Sequence, residues 1–175
     1  MQNKIMPSAY RCECAEDFIG PARDHALWIE RLVEKFKSNG REPVKLLILG
    51  APATGKTQLA EHFQPCVGVN KWSCHKWNGA RFKVEDLDEL TRTVQMTNLF
   101  GDYRVIRFEE VDQIPRVNQA AILTLLDDLP ARNAVVATSN CEVAQLDERF
   151  QRRFLVLQVA APSAEEVTDF LMKRF

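Results

Sequence analysis

The chain lacks several features that would assign it quickly. Its 23 Lys and Arg against 24 Asp and Glu leave a formal net charge of -1. There is therefore no global basic field to pull it onto nucleic acid, and any DNA contact has to come from a local patch or from several subunits together. No apolar stretch approaches the length needed to span a membrane. The first residues, Met1 to Pro7, show no signal-peptide apolar core, which predicts a cytoplasmic protein with no membrane partner. Its 5 cysteines are an odd number, which suits reduced thiols better than a disulfide framework. Cys12 and Cys14 form a C-x-C, with Cys66, Cys74 and His75 further on, but the spacing is not that of a zinc finger or ribbon. There is no internal repeat and no low-complexity segment. At 175 residues, 46% of them hydrophobic, the chain has the size and composition of one domain with a sizeable core.

What is present is concentrated in one motif. Gly50-Ala51-Pro52-Ala53-Thr54-Gly55-Lys56-Thr57 directly follows the apolar run Val44 to Leu49. It fits G-x-x-x-x-G-K-[ST] between a buried strand and a helix, the context of a phosphate-binding loop. Gly50 and Gly55 allow the backbone to approach a polyphosphate closely, and a helix starting near Gly55 adds the positive end of its dipole. Lys56 is expected at the β- and γ-phosphates and the Thr57 hydroxyl on Mg2+. A Gly-rich turn with an incidental lysine does not explain why Lys and Thr fall at the two required places.

Along the rest of the chain, strand and helix patterns alternate. His25 to Lys37 has helical periodicity, and Ser38 to Pro43 reads as a stop and loop. The segment from Cys66 to Phe82 is ambiguous, holding at most a short strand and a loop. Trp72 and Trp77 there suit packing better than base stacking. Helices are expected from about Val84 to Met96, from Asn118 to Leu126, and briefly from Leu146 to Arg152. Strands are expected at Tyr103 to Phe108, Asn133 to Thr138 and Phe154 to Val159. A last helix, Ser163 to Arg174, has Ser163 as N-cap and Glu166 at the capping-box position. This order predicts an α/β fold, a P-loop NTPase with a mostly parallel sheet sandwiched by helices and its ligand at the carboxyl ends of the strands.

Three further segments carry chemistry. Arg104 to Phe108 is an apolar strand ending in Glu109, Glu110 and, after Val111, Asp112. One carboxylate near Mg2+ and another to polarise the attacking water are what nucleotide hydrolysis needs, although a charged strand edge is the plain alternative. Thr138-Ser139-Asn140 ends the next strand and offers a polar group for the γ-phosphate or the water. Arg149, Arg152 and Arg153 cluster within five residues. They suit either a phosphoryl-stabilising arginine from a neighbouring subunit or a solvated helix face.

Taken together these motifs, from Phe18 to the C-terminus, resemble the AAA+ ATPases, and among them the clamp-loader and related replication or recombination ATPases. Phe18-Ile19-Gly20 before a helix resembles the segment flanking the adenine. Gly50 to Thr57, with Gln58 beside it, resembles Walker A, and Phe108-Glu109-Glu110-Val111-Asp112 resembles Walker B. The run from Asn118 to Leu129 is similar to the helix after Walker B, and Ala137 to Asn140 resembles sensor-1. Leu146 to Phe154 resembles the stretch that ends in a trans-acting arginine finger.

The resemblance implies ATP and Mg2+ as cofactors, with Thr57 and Glu109 on the metal. It implies catalytic roles for Glu110, Asn140 and Arg153, Arg153 completing a neighbour's site in a homo- or hetero-oligomer, and DNA contact made indirectly or through the assembly. It divides the chain into an irregular segment 1–20, a nucleotide-binding domain 21–162, and a helix 163–175 that begins a lid. By that resemblance the given sequence stops where the rest of the lid, with its sensor-2 arginine, is expected, either because it is a piece of a longer protein or because a minimal chain borrows a lid from a partner; no segment resembling the zinc module of bacterial clamp loaders is expected in it. Glu109 departs from the usual Asp, and its extra methylene shifts the metal geometry. Three functions stay open: a DNA-linked ATPase motor or switch, a superfamily 3-type viral or plasmid helicase core, and an ATP-binding interaction module with little turnover.

Overall fold

The computed structural model describes residues 12–69, 73–96, 103–141 and 148–174. Trp72, the first eleven residues, and the start of the Leu146 to Arg152 segment lie outside the described residues.

The described residues form five parallel strands, most of them from the apolar runs: β1 (Val44–Leu49), β2 (Cys74–Asn78), β3 (Arg104–Glu109), β4 (Asn133–Ser139) and β5 (Leu155–Gln158). Their order across the sheet is β2-β3-β4-β1-β5. Strands β1, β3 and β4 are buried nearly throughout, which is why they read as continuous apolar runs rather than alternating ones. The edge strand β2 is only half-buried, and its Cys-His-Lys-Trp-Asn sequence has no clear period. That is the physical reason the segment is ambiguous in the sequence.

The helices are α1 (Pro21–Ser38), α2 (Lys56–Cys66), α3 (Val84–Gln95), α4 (Arg116–Asp127), α5 (Glu148–Gln151) and α6 (Ala164–Arg174). Helix α1 begins four residues before the periodic stretch, because Pro21 occupies its first turn, where no amide donor is needed. It buries Ala22, Ala26, Ile29 and Val33 at helical spacing. Helix α3 starts where Asp86 accepts the Lys83 amide at 2.7 Å. Helix α6 starts with the expected reciprocal pair: Ser163 N–H donates to Glu166 at 2.7 Å, and Glu166 N–H to the Ser163 hydroxyl at 3.2 Å. Among the described residues no helix is long and apolar enough to cross a membrane.

Each face of the sheet has its own core. On one, Val44, Leu46, Ile48, Val105 and Val136 pack with buried side chains of α1 and α2, the fully buried Phe63 among them. On the other, Leu47, Leu49, Ile106, Phe108 and Val135 pack with buried side chains of α3, α4 and α5. Trp77 packs onto this second core, 6.0 Å from Phe108 between ring centroids, as the packing reading expects.

The topology fixes where a ligand can sit. Strand β1 lies between β4 and β5, so the connections leaving β1 and β4 diverge to opposite sides of the sheet. Such a switch point leaves a crevice at the carboxyl ends of the strands. Leu49, immediately before the glycine-rich loop, stands opposite Ser139 at the end of β4.

Phe108 is fully buried and touches Trp77 and Phe82, each at 6.0 Å. Phe108→Ala is expected to lower unfolding stability by about 3–5 kcal/mol, read by urea denaturation. A loss below about 1 kcal/mol would contradict this account of the core.

Candidate active site

A cavity of about 500 Å³ opens at the switch point. Its walls bring together Gly55, Lys56 and Thr57 from the loop, Glu109 and Glu110 from the end of β3, and Asn140 after β4. Pro52, Ala53 and Gln58 also line it. Side chains separated by some ninety residues in the chain thus face one space, because parallel strands deliver all their carboxyl ends to one edge of the sheet.

The loop is held by its own polar groups. Lys56 is 7% exposed, and its ammonium donates to the Gly50 carbonyl at 2.9 Å and the Ala51 carbonyl at 2.6 Å. Burial pushes the lysine pKa down from its ordinary value, and the charge of Asp112 opposes that fall. The Thr54 hydroxyl donates to the Ala51 carbonyl at 2.9 Å. At Gly50 a Cβ would lie 2.4 Å from the Val159 carbonyl oxygen, so β5 leaves no room for a side chain there. Gly55 caps α2 with a left-handed backbone, φ 90°. This arrangement suits a polyphosphate: a helix N-terminus, a loop without side-chain bulk, and an ammonium whose present partners are neutral carbonyls that an anion can outcompete.

Ile19 and Gly20 are half-buried beside α1 and do not line the cavity. The helix they lead into does approach the loop: a Cβ on Gly55 would lie 3.9 Å from the Ala22 side chain. Gly20 is covered by the Glu166 carboxylate of α6, 2.8 Å from where its Cβ would be.

The two glutamates after β3 have different surroundings. Glu110 lines the cavity, and its backbone is left-handed, φ 53° and ψ 52°. A residue with a side chain adopts that conformation only when its surroundings impose it. Glu109 is held by cations: Arg107 donates to Oε1 at 2.7 Å and Lys76 to Oε2 at 2.8 Å. Burial acts to raise its pKa, but these hydrogen bonds and charges outweigh it and keep the carboxylate below its ordinary range. Hard oxygen donors at Thr57 and Glu109 suit Mg2+ in kind. Glu109, however, already uses both oxygens on cations.

Motifs alone name Asp112 and Ser139 but not their pairing, and they miss Asn78 and Gly79. Asp112 accepts the Ser139 hydroxyl at 2.6 Å, and Ser139 accepts the Cys141 amide at 3.0 Å. Burial would raise the Asp112 pKa, yet these and nearby donors bring it down. The pair fastens the end of β3 to the end of β4. Asn78 reaches the cavity from β2, opposite Glu109 in register. Gly79 follows, where a Cβ would lie 2.0 Å from the Glu110 carbonyl oxygen.

Arg153 is not at this cavity. It forms a two-pronged pair with Asp127 of α4, at 2.7 and 2.6 Å, and donates to the Arg149 carbonyl at 2.9 Å. Arg152 pairs with Glu148 at 2.5 Å, one helical turn away.

Cys12, Cys14, Cys66, Cys74 and Cys141 are all free thiols, as an odd count suggests. Among the described residues, the group with metal-ligand potential is Glu30, His62 and Cys66, whose donor atoms lie within 4.8 Å of one another. Their contacts are those of a hydrogen-bonded cluster. His62 Nε2 meets Glu30 at 3.0 Å, and the Cys66 thiol donates to the His62 carbonyl at 3.1 Å. Burial and the Glu30 charge push that thiol up to about 11.

Gly79→Ala is expected to lower stability by about 1–3 kcal/mol, because the new methyl has to displace the backbone of Glu110. Thermal or urea unfolding checks it. An unchanged midpoint would contradict the close passage of the two backbones.

No protein-family model matches the chain, and no curated protein matches it in sequence. Solved structures do match in shape. A mutant of Thermotoga maritima RuvB superposes with TM-score 0.74 at 17% identity, covering 94% of this chain and 54% of that one. A second RuvB mutant gives 0.73 at 16%, with 93% and 53% covered. A Thermotoga maritima protein related to the gamma subunit of DNA polymerase III gives 0.66 at 15%, with 79% and 46% covered. The chain thus spans about half the length of the structures it resembles. At these identities the likeness is one of fold: the chain shares with those proteins an α/β architecture built on a parallel sheet covered by helices.

Proposed function

We propose that this chain is an ATP-binding and ATP-hydrolysing AAA+ subunit that works in DNA replication, repair or recombination in the manner of a clamp loader. The observation that carries the reading is the cavity that gathers Lys56, Thr57, Glu110 and Asn140 at one edge of the sheet. The fold shared with RuvB and the polymerase III gamma-related protein supports it. In this reading residues 21–162 are the nucleotide-binding domain and α6 begins a lid. The protein is cytoplasmic.

The chemistry follows from the groups present. Backbone amides from Gly50 to Gly55 cradle the phosphates, Lys56 moves from the loop carbonyls to the β- and γ-phosphates, and Gln58 and the Ile19-Gly20 segment flank the nucleotide. Thr57 and Glu109 would hold Mg2+, which when bound would supply positive charge to the phosphate oxygens. Glu110 orients and polarises a water in line with the γ-phosphorus. As the new P–O bond forms, the bond to the bridging oxygen breaks and ADP leaves. Asn140 holds the water or a γ-phosphate oxygen. Arg153, absent from its own chain's cavity, suits a role in a neighbour's site.

A second reading is favoured by one observation: both oxygens of Glu109 are engaged by cations, which suits an ATP-binding module with slow turnover.

Steady-state ATP hydrolysis, with and without primed DNA and with Lys56→Ala as the blank, tests the proposal. Turnover that DNA stimulates and the blank abolishes is expected. Glu110→Gln is expected to lose about a hundredfold or more in kcat while still binding ATP. Arg153→Ala is expected to lose a similar factor with binding intact. ATP binding without any turnover, in either presence or absence of DNA, would favour the slow module. Turnover by the blank equal to the wild type would overturn the assignment.

A further inference from the structure

Glu109 is the terminal residue of β3, and its side chain is part of a charge network that reaches three elements. Arg107 is two residues earlier on the same face of the strand. It is 5% exposed beneath α2, with Glu109 at 2.7 Å and Glu61 of α2 at 3.4 Å. An arginine this deep needs a close counter-ion, because an uncompensated buried charge is strongly destabilising. Its Nε finds no partner, so the carboxylates at its other nitrogens are what compensate it. On the neighbouring strand, Lys76 stands opposite Arg107 in register and places its ammonium 2.8 Å from the second Glu109 oxygen. Lys76 differs from Arg107 in one respect: its side chain is 51% exposed, on a half-buried edge strand. It is free to swing into solvent, whereas Arg107 is not.

We infer that Lys76 is a resident cation at the metal position, so that a divalent ion reaches Glu109 only by displacing the lysine ammonium while Arg107 stays bound. This rests on the nucleotide-site reading above, and it assigns to the Glu109 side chain two tasks. One oxygen is committed permanently to Arg107 as structural counter-ion. The other is shared between Lys76 and the metal of the metal–nucleotide complex. The glutamate is suited to this division, because an aspartate has one methylene fewer with which to reach a lysine on the next strand. The consequence is a site whose affinity for divalent metal is set lower by Lys76 than its oxygen donors alone would give.

The probe is Mn2+ with ADP bound, followed by the loss of the free-Mn2+ electron paramagnetic resonance signal. This reads metal binding and not turnover. Lys76→Ala and Lys76→Gln are expected to tighten Mn2+ binding by about two- to fivefold, the range for removing a partly exposed ion-pair competitor. Lys76→Arg keeps the cation and is expected to behave as the wild type. ADP affinity in EDTA is expected to be alike in all four proteins. Unchanged or weaker Mn2+ binding in the Ala and Gln variants, with ADP still bound, overturns the competition and leaves the nucleotide site standing. Weaker ADP binding in EDTA on loss of Lys76 also overturns it, since the lysine would then be holding phosphate. Failure of the wild type to bind ADP at all overturns the nucleotide site, and this inference with it.

Discussion

Strand β1 is sealed on every side, and the site is a consequence of that confinement. It is hydrogen-bonded to β4 along one edge and to β5 along the other, and two helical layers cover its faces. A chain leaving such a strand has one exit, at the carboxyl end, and has to turn sharply beneath its neighbours. Gly50 makes that exit with the Val159 carbonyl where a Cβ would be. The loop that follows has no side-chain bulk at its start, ends on a left-handed glycine, and hands its free amides to α2. The same geometry that closes the core therefore opens the cavity at the end of β1.

Charge completes what the backbone begins. At this edge the sheet buries a lysine, an arginine and parts of three carboxylates, and each has found a partner. Lys56 turns onto loop carbonyls, Arg107 onto Glu109 and Glu61, Asp112 onto Ser139. The partners differ in how readily they are given up. Neutral carbonyls yield a lysine to a phosphate, whereas Glu109 cannot leave Arg107 without stranding a buried charge. Glu110 is not tied to Arg107 in this way, and it lines the cavity on a left-handed backbone. In the proposed reading, two adjacent glutamates are divided in this way between structure and chemistry.

Much of this was legible in the sequence, and the boundary is physical. Motifs that act locally are readable: a loop of fixed spacing between β1 and α2, acids at the end of an apolar strand, the reciprocal cap of Ser163 and Glu166. The order of strands and helices is readable for the same reason, because buried parallel strands are continuous apolar runs. The contacts that distinguish this chain are not local. Lys76 meets Glu109 only through the β2–β3 register, Arg153 meets Asp127 across 26 residues, and Gly79 is needed only because Glu110 crosses it. Strand β2 itself has no period to read, being a half-buried edge.

The central claim is that the buried Lys56 ammonium changes partners, from loop carbonyls to a polyphosphate. Calorimetric titration of ATP into the wild type and into Lys56→Ala tests it most directly. Saturable one-site binding that weakens by at least about tenfold in the variant is the predicted result, since hydrogen bonds to a charged group are worth roughly 1.5–3 kcal/mol. Equal affinity in the two proteins, or no binding to either, would contradict it.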